Sequence, residues 1–172
     1  ELEAGTQLAH YYAGAGQALL LLANSGGYGF LARVENMVAR NRGGKAFVTL
    51  AEGEQLCPPA PVAGLPGSEM PEATHVACVS VAGRLLTFEL GELKQQAQGG
   101  RGLMLMALED KDTLAAAVPY ARAIRLSGVG RGGKEREAQL EIRSLNNARA
   151  LRGRKGRAAE LGFKVQQVQR VA

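Results

Sequence analysis

Three groups of residues in this chain have types and spacings that could do chemistry. "GVGRGGK", residues 128–134, sets Gly128 and Gly133-Lys134 at the spacing of a loop that cradles phosphate. Such a loop needs a Ser or Thr next, to hold magnesium, and must open a helix whose positive end meets the phosphate. Glu135 stands there instead, and the flanks "ARAIRLS" and "REAQLEIRS" alternate like strands. A hairpin tip carrying Arg131 and Lys134 explains the same letters. The second group is the candidate zinc set His10, Cys57, His75 and Cys78. His75 and Cys78 lie three apart in a period-two stretch, so they point to opposite faces, and core packing is the expected fate of Cys78. Two histidines build no Ser-His-Asp or Cys-His arrangement, and Tyr11, Tyr12, Tyr28 and Tyr120 sit apart from clustered acids and arginines. The expectation is no catalytic residue, no metal site and no cofactor.

The third group persists. "RNRGGK", residues 40–45, packs Arg40, Arg42 and Lys45 around Gly43-Gly44, and the pattern recurs along the chain. Adding 56 takes Gly27 to Gly83, Gly43-Gly44 to Gly99-Gly100 and Lys45 to Arg101, with Phe30, Val34 and Met37 carried to Leu86, Leu90 and Leu93. A second step of the same length puts Gly156-Arg157 of "RGRKGR" where Gly44-Lys45 stood and Ile142 where Phe30 stood. The match is poorer between Leu145 and Leu151, which a slip of a residue or two in that connector would explain. Repeats of this length signal an array, a solenoid or a propeller. Glycine exposes backbone N–H groups and lets a phosphate come close, while Arg and Lys supply charge. The candidate phosphate contacts are Arg40, Arg42, Gly43, Gly44 and Lys45; Gly99, Gly100 and Arg101; Arg131 and Lys134; and Arg152, Arg154, Lys155 and Arg157. Equivalent loops of radial blades share one rim, a track for bent duplex DNA. Aromatic residues are too few and scattered for stacking on single strands.

The elements that must position these turns read as strands. "ALLLLANS" followed by "YGFLARV" is a hairpin over residues 18–34, and "HVACVSV" with "GRLLTFEL" repeats it, with Ala82-Gly83 at the turn. "HVACVSV" alternates with both faces small and apolar, as in a strand buried between neighbouring sheets. "KAFVTL" and "GRGLMLMAL" each read as a further strand after a basic turn. "ENMVAR" and "GELKQQ" have room for a turn of helix. Residues 56–72, rich in Pro and Gly, read as an irregular surface connection. "DTLAAAVPYARAI" reads as a strand by analogy with the earlier units, and Val165, Val168 and Val171 fit either a helix or a bulged strand. The expected fold is all-β, a radial array of about three blades over residues 1–58, 59–113 and 114–172.

Totals agree with a globular domain: 172 residues with 46 % hydrophobic content. The aliphatic run at residues 18–23 is too short to span a bilayer. The start at Glu1 reads as a fragment, and two cysteines suit a reducing compartment. Net charge is +5 but uneven: residues 122–170 hold 13 Lys/Arg against 4 Glu, whereas residues 1–121 hold 8 against 12 acids. A basic block favours a polyanionic partner.

"NSGGYGFLARVENMVARNRGGKAFVTL", with "GRLLTFELGELKQQAQGGRGLMLMAL" and the closing "RGRKGRAAELGFKVQQVQRV", resembles the C-terminal domains of the A subunits of bacterial type II topoisomerases, topoisomerase IV above all and gyrase more distantly. The resemblance implies a β-pinwheel, propeller-like with strands exchanged between blades, whose positive outer rim binds and bends DNA. It implies an intact enzyme that needs ATP and Mg2+ through other domains. That enzyme would be an A2B2 heterotetramer, built with a second A subunit and with ATPase B subunits. It also implies a condensin-type chromosome protein as partner, and a place in the cytoplasm on the nucleoid or at the inner face of the membrane. Arg42, Gly43, Gly44 and Lys45 match the gyrase box QRRGGKG, whereas Asn41 and Ala46 do not. That favours the topoisomerase IV role, selecting which DNA segments are passed during ATP-dependent decatenation, over gyrase-type wrapping. A propeller-like protein-interaction module is the other reading of the same residues.

Overall fold

The computed structural model describes residues 7–64 and 69–172. The chain runs through β1 (Leu19–Ala23), β2 (Tyr28–Arg33), the short helix α1 (Val34–Met37), β3 (Ala60–Pro61), β4 (His75–Ser80), β5 (Arg84–Glu89), a single 3-10 turn, and β6 (Leu103–Met104). It continues with β7 (Leu114–Tyr120), β8 (Ala123–Gly130), a second 3-10 turn, β9 (Glu135–Glu141), α2 (Ile142–Asn147), β10 (Arg157–Ala158) and β11 (Phe163–Val171). The named strands pair antiparallel in three sheets, ordered β3-β1-β2-β6, β7-β4-β5-β10 and β11-β8-β9. The all-β expectation holds.

Each sheet is centred on one hairpin. Asn24 and Ser80, 56 residues apart, are fully buried at the first two hairpin tips: Asn24 Oδ1 accepts the Tyr28 N–H and Ser80 Oγ accepts the Arg84 N–H. A short polar side chain that replaces a missing backbone partner is what makes each tip tight. The flanking strands are borrowed. β6 lies on the outer edge of β2 although it follows the second hairpin, and β10 lies likewise on β5. β3 and β7 complete the opposite edges of the first and second sheets. Neighbouring hairpins therefore exchange strands, and no sheet is one contiguous stretch of chain.

Period-two patterning decides where the core sits. In β4, Val76 and Cys78 face one cluster shared with Leu21, Leu31, Leu86 and Met106, while Ala77 and Val79 face a second, shared with Ile124, Leu126, Leu145 and Val165. β4 is thus buried on both sides, as its two apolar faces require. In β1, Leu20 and Leu22 join Phe30, Ala32 and Phe47 in a third cluster on the outer side of the first sheet. Side chains of this size each contribute about 1.5–3 kcal/mol on burial.

Several details differ from the sequence reading. The strand expected in "KAFVTL" is an isolated bridge at Val48, and its counterpart in "GRGLMLMAL" is only Leu103–Met104. Residues 56–72 are more than a surface connection: Cys57, Ala60 and Val62 are buried, and β3 pairs with β1. Its small apolar residues fit against the first hairpin, and the Arg170 guanidinium donates to the Val62 and Pro71 carbonyls, tying β11 to the segment. "DTLAAAVPYARAI" does form a strand, Pro119 included. β11 is a bulged strand, its register shifting between Val165 and Gln167.

Candidate nucleic-acid interface

The second and third basic glycine turns sit where the chain crosses from one sheet to the next, and the first lies between α1 and the Val48 bridge. In the first crossing Leu31 donates to the Lys94 carbonyl and accepts from Gln96; in the second Thr87 donates to the Ala148 carbonyl and accepts from Ala150. The hairpin residues are 56 apart, but their partners Gln95 and Arg149, joined to them by parallel bridges, are only 54 apart. The glycines repeat this offset. A Cβ on Gly102 would meet the Gly29 carbonyl oxygen at 2.3 Å, and one on Gly156 would meet that of Leu85 at 2.5 Å. Both residues also have positive φ, 85° and 68°, so glycine is required twice over.

This register corrects the sequence alignment. The slip of two residues is real, and Gly156 stands where Gly102 does, not where Gly44 and Gly100 do. Lys155, rather than Arg157, is the counterpart of Arg101. Ile142 follows directly on the third hairpin, as Val34 and Leu90 follow the first two, so it is not the counterpart of Phe30. The constraint is three-dimensional: pairing to a neighbour's edge sets the register, whatever the connector length.

The candidate contacts differ in what they have left to offer. In the first turn Arg40, Arg42, Gly43, Gly44 and Lys45 are exposed, with open space around both glycines. Lys45 folds back, its Nζ 2.9 Å from the Asn36 carbonyl and 5.1 Å from the Phe47 ring centroid. In the second, Gly100 is clasped by the first unit, donating to the Phe47 carbonyl at 2.8 Å and accepting from the Thr49 N–H at 2.9 Å. Arg101 is half-buried over the Tyr28 ring, 4.2 Å from its centroid, and ion-pairs with Glu54. In the third, Arg154, Lys155 and Arg157 are exposed, and Arg157 also caps the Asn147 carbonyl at 2.9 Å. Arg152 is turned inward, its guanidinium donating to the Met104 carbonyl at 2.6 Å and its N–H to Glu92 at 3.0 Å.

Arg131 and Lys134 belong to a different series. They sit on the β8–β9 tip, exposed, with Gly132 and Gly133 at positive φ and nothing near them. No helix opens after Lys134; β9 does. The hairpin reading of "GVGRGGK" therefore stands over the phosphate-loop one. The zinc set is scattered in character. Cys78 is wholly buried between sheets, and burial pushes its thiol far up. Burial raises Cys57 to about 12. His75 instead accepts from the Arg149 guanidinium at 2.7 Å through Nε2, which leaves Nδ1–H to donate to Thr74 Oγ1 at 2.8 Å. Sequence reasoning missed Glu54, Tyr28 and Glu92, the residues that hold Arg101 and Arg152. No motif marks them, because they become neighbours only when one unit packs on the next.

Antiparallel sheets that exchange edge strands and repeat a basic glycine turn at each crossing define a propeller-type β array. The family described as DNA gyrase C-terminal domain, beta-propeller, matches residues 18–56 and 74–120, and the chain belongs to that family. Among curated proteins it is 31 % identical to the DNA topoisomerase 4 A subunit of Neisseria gonorrhoeae over 169 residues, covering 98 % of this chain and 21 % of that one. It is 30 % identical to the Pseudomonas aeruginosa protein of the same name, covering 85 % and 19 %. The chain thus spans about a fifth of these relatives. Its fold superposes on the E. coli ParC C-terminal domain with TM-score 0.73 at 26 % identity, over 91 % of this chain and 61 % of that one. It also matches a DNA gyrase A C-terminal domain with TM-score 0.67 at 16 % identity, over 92 % and 50 %, a likeness of fold.

Proposed function

We propose that this domain binds duplex DNA through the basic turns and thereby steers substrate choice in a topoisomerase IV-type enzyme. The observation that supports it is the pair of exposed turns, Arg40, Arg42 and Lys45 in one unit and Arg154, Lys155 and Arg157 in another. Exposed Arg and Lys on glycine turns can meet phosphate oxygens once Lys45 leaves the Asn36 carbonyl and Arg157 the Asn147 carbonyl, and they carry no base-reading geometry. Binding is then sequence-independent. Arg131 and Lys134 add positive charge from a hairpin tip, and Arg101 and Arg152 lend their charge chiefly to joints between units.

The intact enzyme would bring the chemistry, with ATP and Mg2+ in other domains, ATPase B subunits, and a second A subunit. A condensin-type partner and a place on the nucleoid or at the inner membrane face go with that role. The domain itself would need no cofactor. Binding to random-sequence duplex DNA, followed as salt is varied, tests the reading. Each phosphate neutralised contributes a slope of about −0.9 in log affinity against log salt. Six contacts would lose roughly a thousandfold between about 50 and about 200 mM salt. Affinity independent of salt, or none for duplex DNA, would remove the proposal.

A further inference from the structure

The two crossings use the same positions to opposite ends. At the first, Tyr28 on the hairpin presents its ring to Arg101, and the guanidinium lies 4.2 Å from the ring centroid. Glu54 completes the clamp. One carboxylate oxygen accepts from Arg101, and the other accepts the Ala51 N–H at 2.8 Å, which fixes its direction. Glu54 is itself largely covered, with 12 % of its side chain exposed. A partly desolvated carboxylate and an aromatic face together hold a cation far better than either does in open water.

At the second crossing the residue 56 positions after Tyr28 is Arg84. It does the latching itself: Nε and Nη2 donate to the Lys155 and Gly156 carbonyls at 3.1 and 2.9 Å, and Nη1 lies 3.4 Å from Glu109. The local acid is already paired and the position offers no ring. Lys155, the counterpart of Arg101, keeps its side chain exposed. The hairpin residue therefore decides whether the turn's cation is clamped or left free.

We infer that Glu54, with Tyr28, is a specificity determinant that withholds Arg101 from DNA, so that the rim presents its charge in the first and third turns and not in the second. This rests on the DNA-binding reading above. Spacing the charge in this way would limit how closely DNA follows the rim between its two ends.

The test uses the 172-residue chain with E54Q and the double variant E54Q/R101Q. Two quantities are read: affinity for random-sequence duplex DNA across a salt series, and labelling of Arg101 by an arginine-selective dicarbonyl reagent, mapped by mass spectrometry. E54Q should bind roughly threefold more tightly, the scale of one exposed ion pair. Its salt slope should steepen by about 0.9, with Arg101 labelled faster. The double variant should return affinity and slope to those of the unmodified chain. If E54Q does not fold, E54M, which keeps the length of the stem without a carboxylate, carries the same expectation. Unchanged labelling together with unchanged affinity in a folded variant overturns the inference, and so does faster labelling with no gain where the unmodified chain binds DNA. Faster labelling when no protein binds DNA keeps the clamp and overturns the DNA reading on which its purpose rests.

Discussion

Arg42 and Lys45 stand on a turn that packs against little, with no atom within 4 Å of a Cβ placed on Gly43 or Gly44. Their replacement should therefore be felt far more in binding than in stability. R42E with K45E is expected to weaken duplex binding by an order of magnitude or so at low salt while lowering the thermal midpoint only slightly, through the exposed Lys45 contacts with Asn36 and Phe47. R154E with K155E should do the same from the third turn. Equal affinity for the first pair and the unmodified chain would make that turn a solvated loop. His75 carries a different consequence. Burial first, and then the Arg149 charge, lower its pKa against a weaker opposing pull from Glu89. A histidine lowered in the folded state takes up protons more readily when unfolded. Its contribution to stability is then present above the usual histidine range and lost as pH falls below it. The midpoint of unfolding should drop less between pH 7.5 and pH 5.5 in H75Q than in the unmodified chain.

At the level of elements, the crossings depend on glycine at two positions and on hairpin tips that close tightly. G102A and G156A each combine a positive φ with a collision against a neighbouring carbonyl. Each should cost more than about 1 kcal/mol and lower the thermal midpoint by several degrees. G43A, without a positive φ and with open space around it, should be neutral. Midpoints from calorimetry on the three variants separate a crossing that must hold its register from a turn that need not. A similar loss in G43A would mean that the first turn is as constrained as the other two. Val79 and Leu86 lie on opposite faces of the second sheet, wholly buried, so truncating either to alanine should cost about 2–5 kcal/mol.

For the molecule as a whole, DNA held as proposed, at a distance from the chemistry, would act by raising the local concentration of the segment to be passed. Bent or crossed DNA offers a curved surface more phosphates than straight DNA does. Deleting this domain from an intact A subunit is therefore expected to leave DNA cleavage detectable, while relaxation of positive supercoils falls more than relaxation of negative ones. Equal loss on the two substrates would reduce the domain to a generic anchor. The outer side of the first sheet also differs from the rest. Leu20, Leu22, Phe30 and Phe47 form a cluster there, with Tyr12 and Met37 against it, whereas the central sheet is enclosed on both faces.

Much of this was legible in the residues. Alternation in "HVACVSV" and the paired hairpins belong to backbone geometry, whose period of two writes burial directly into the order of side chains. The 56-residue step between the first two units announced an array, and the Gly-rich basic turns announced where charge would gather. What the chain order could not hold was the exchange of strands. β6 and β10 are two residues each, too short to show a period, and they exist only because a neighbouring hairpin offers an unpaired edge. The same neighbour sets the register of Gly156 against Gly102, two residues from where simple addition put it. Arg101 shows the limit most plainly. By type and spacing it equals Lys45, yet Glu54 and Tyr28, 47 and 73 residues before it in the chain, take up its charge. Local sequence determined which residues were charged and which hairpins would form; packing one unit on the next decided which charges stay free, because only contact between distant segments can neutralise them.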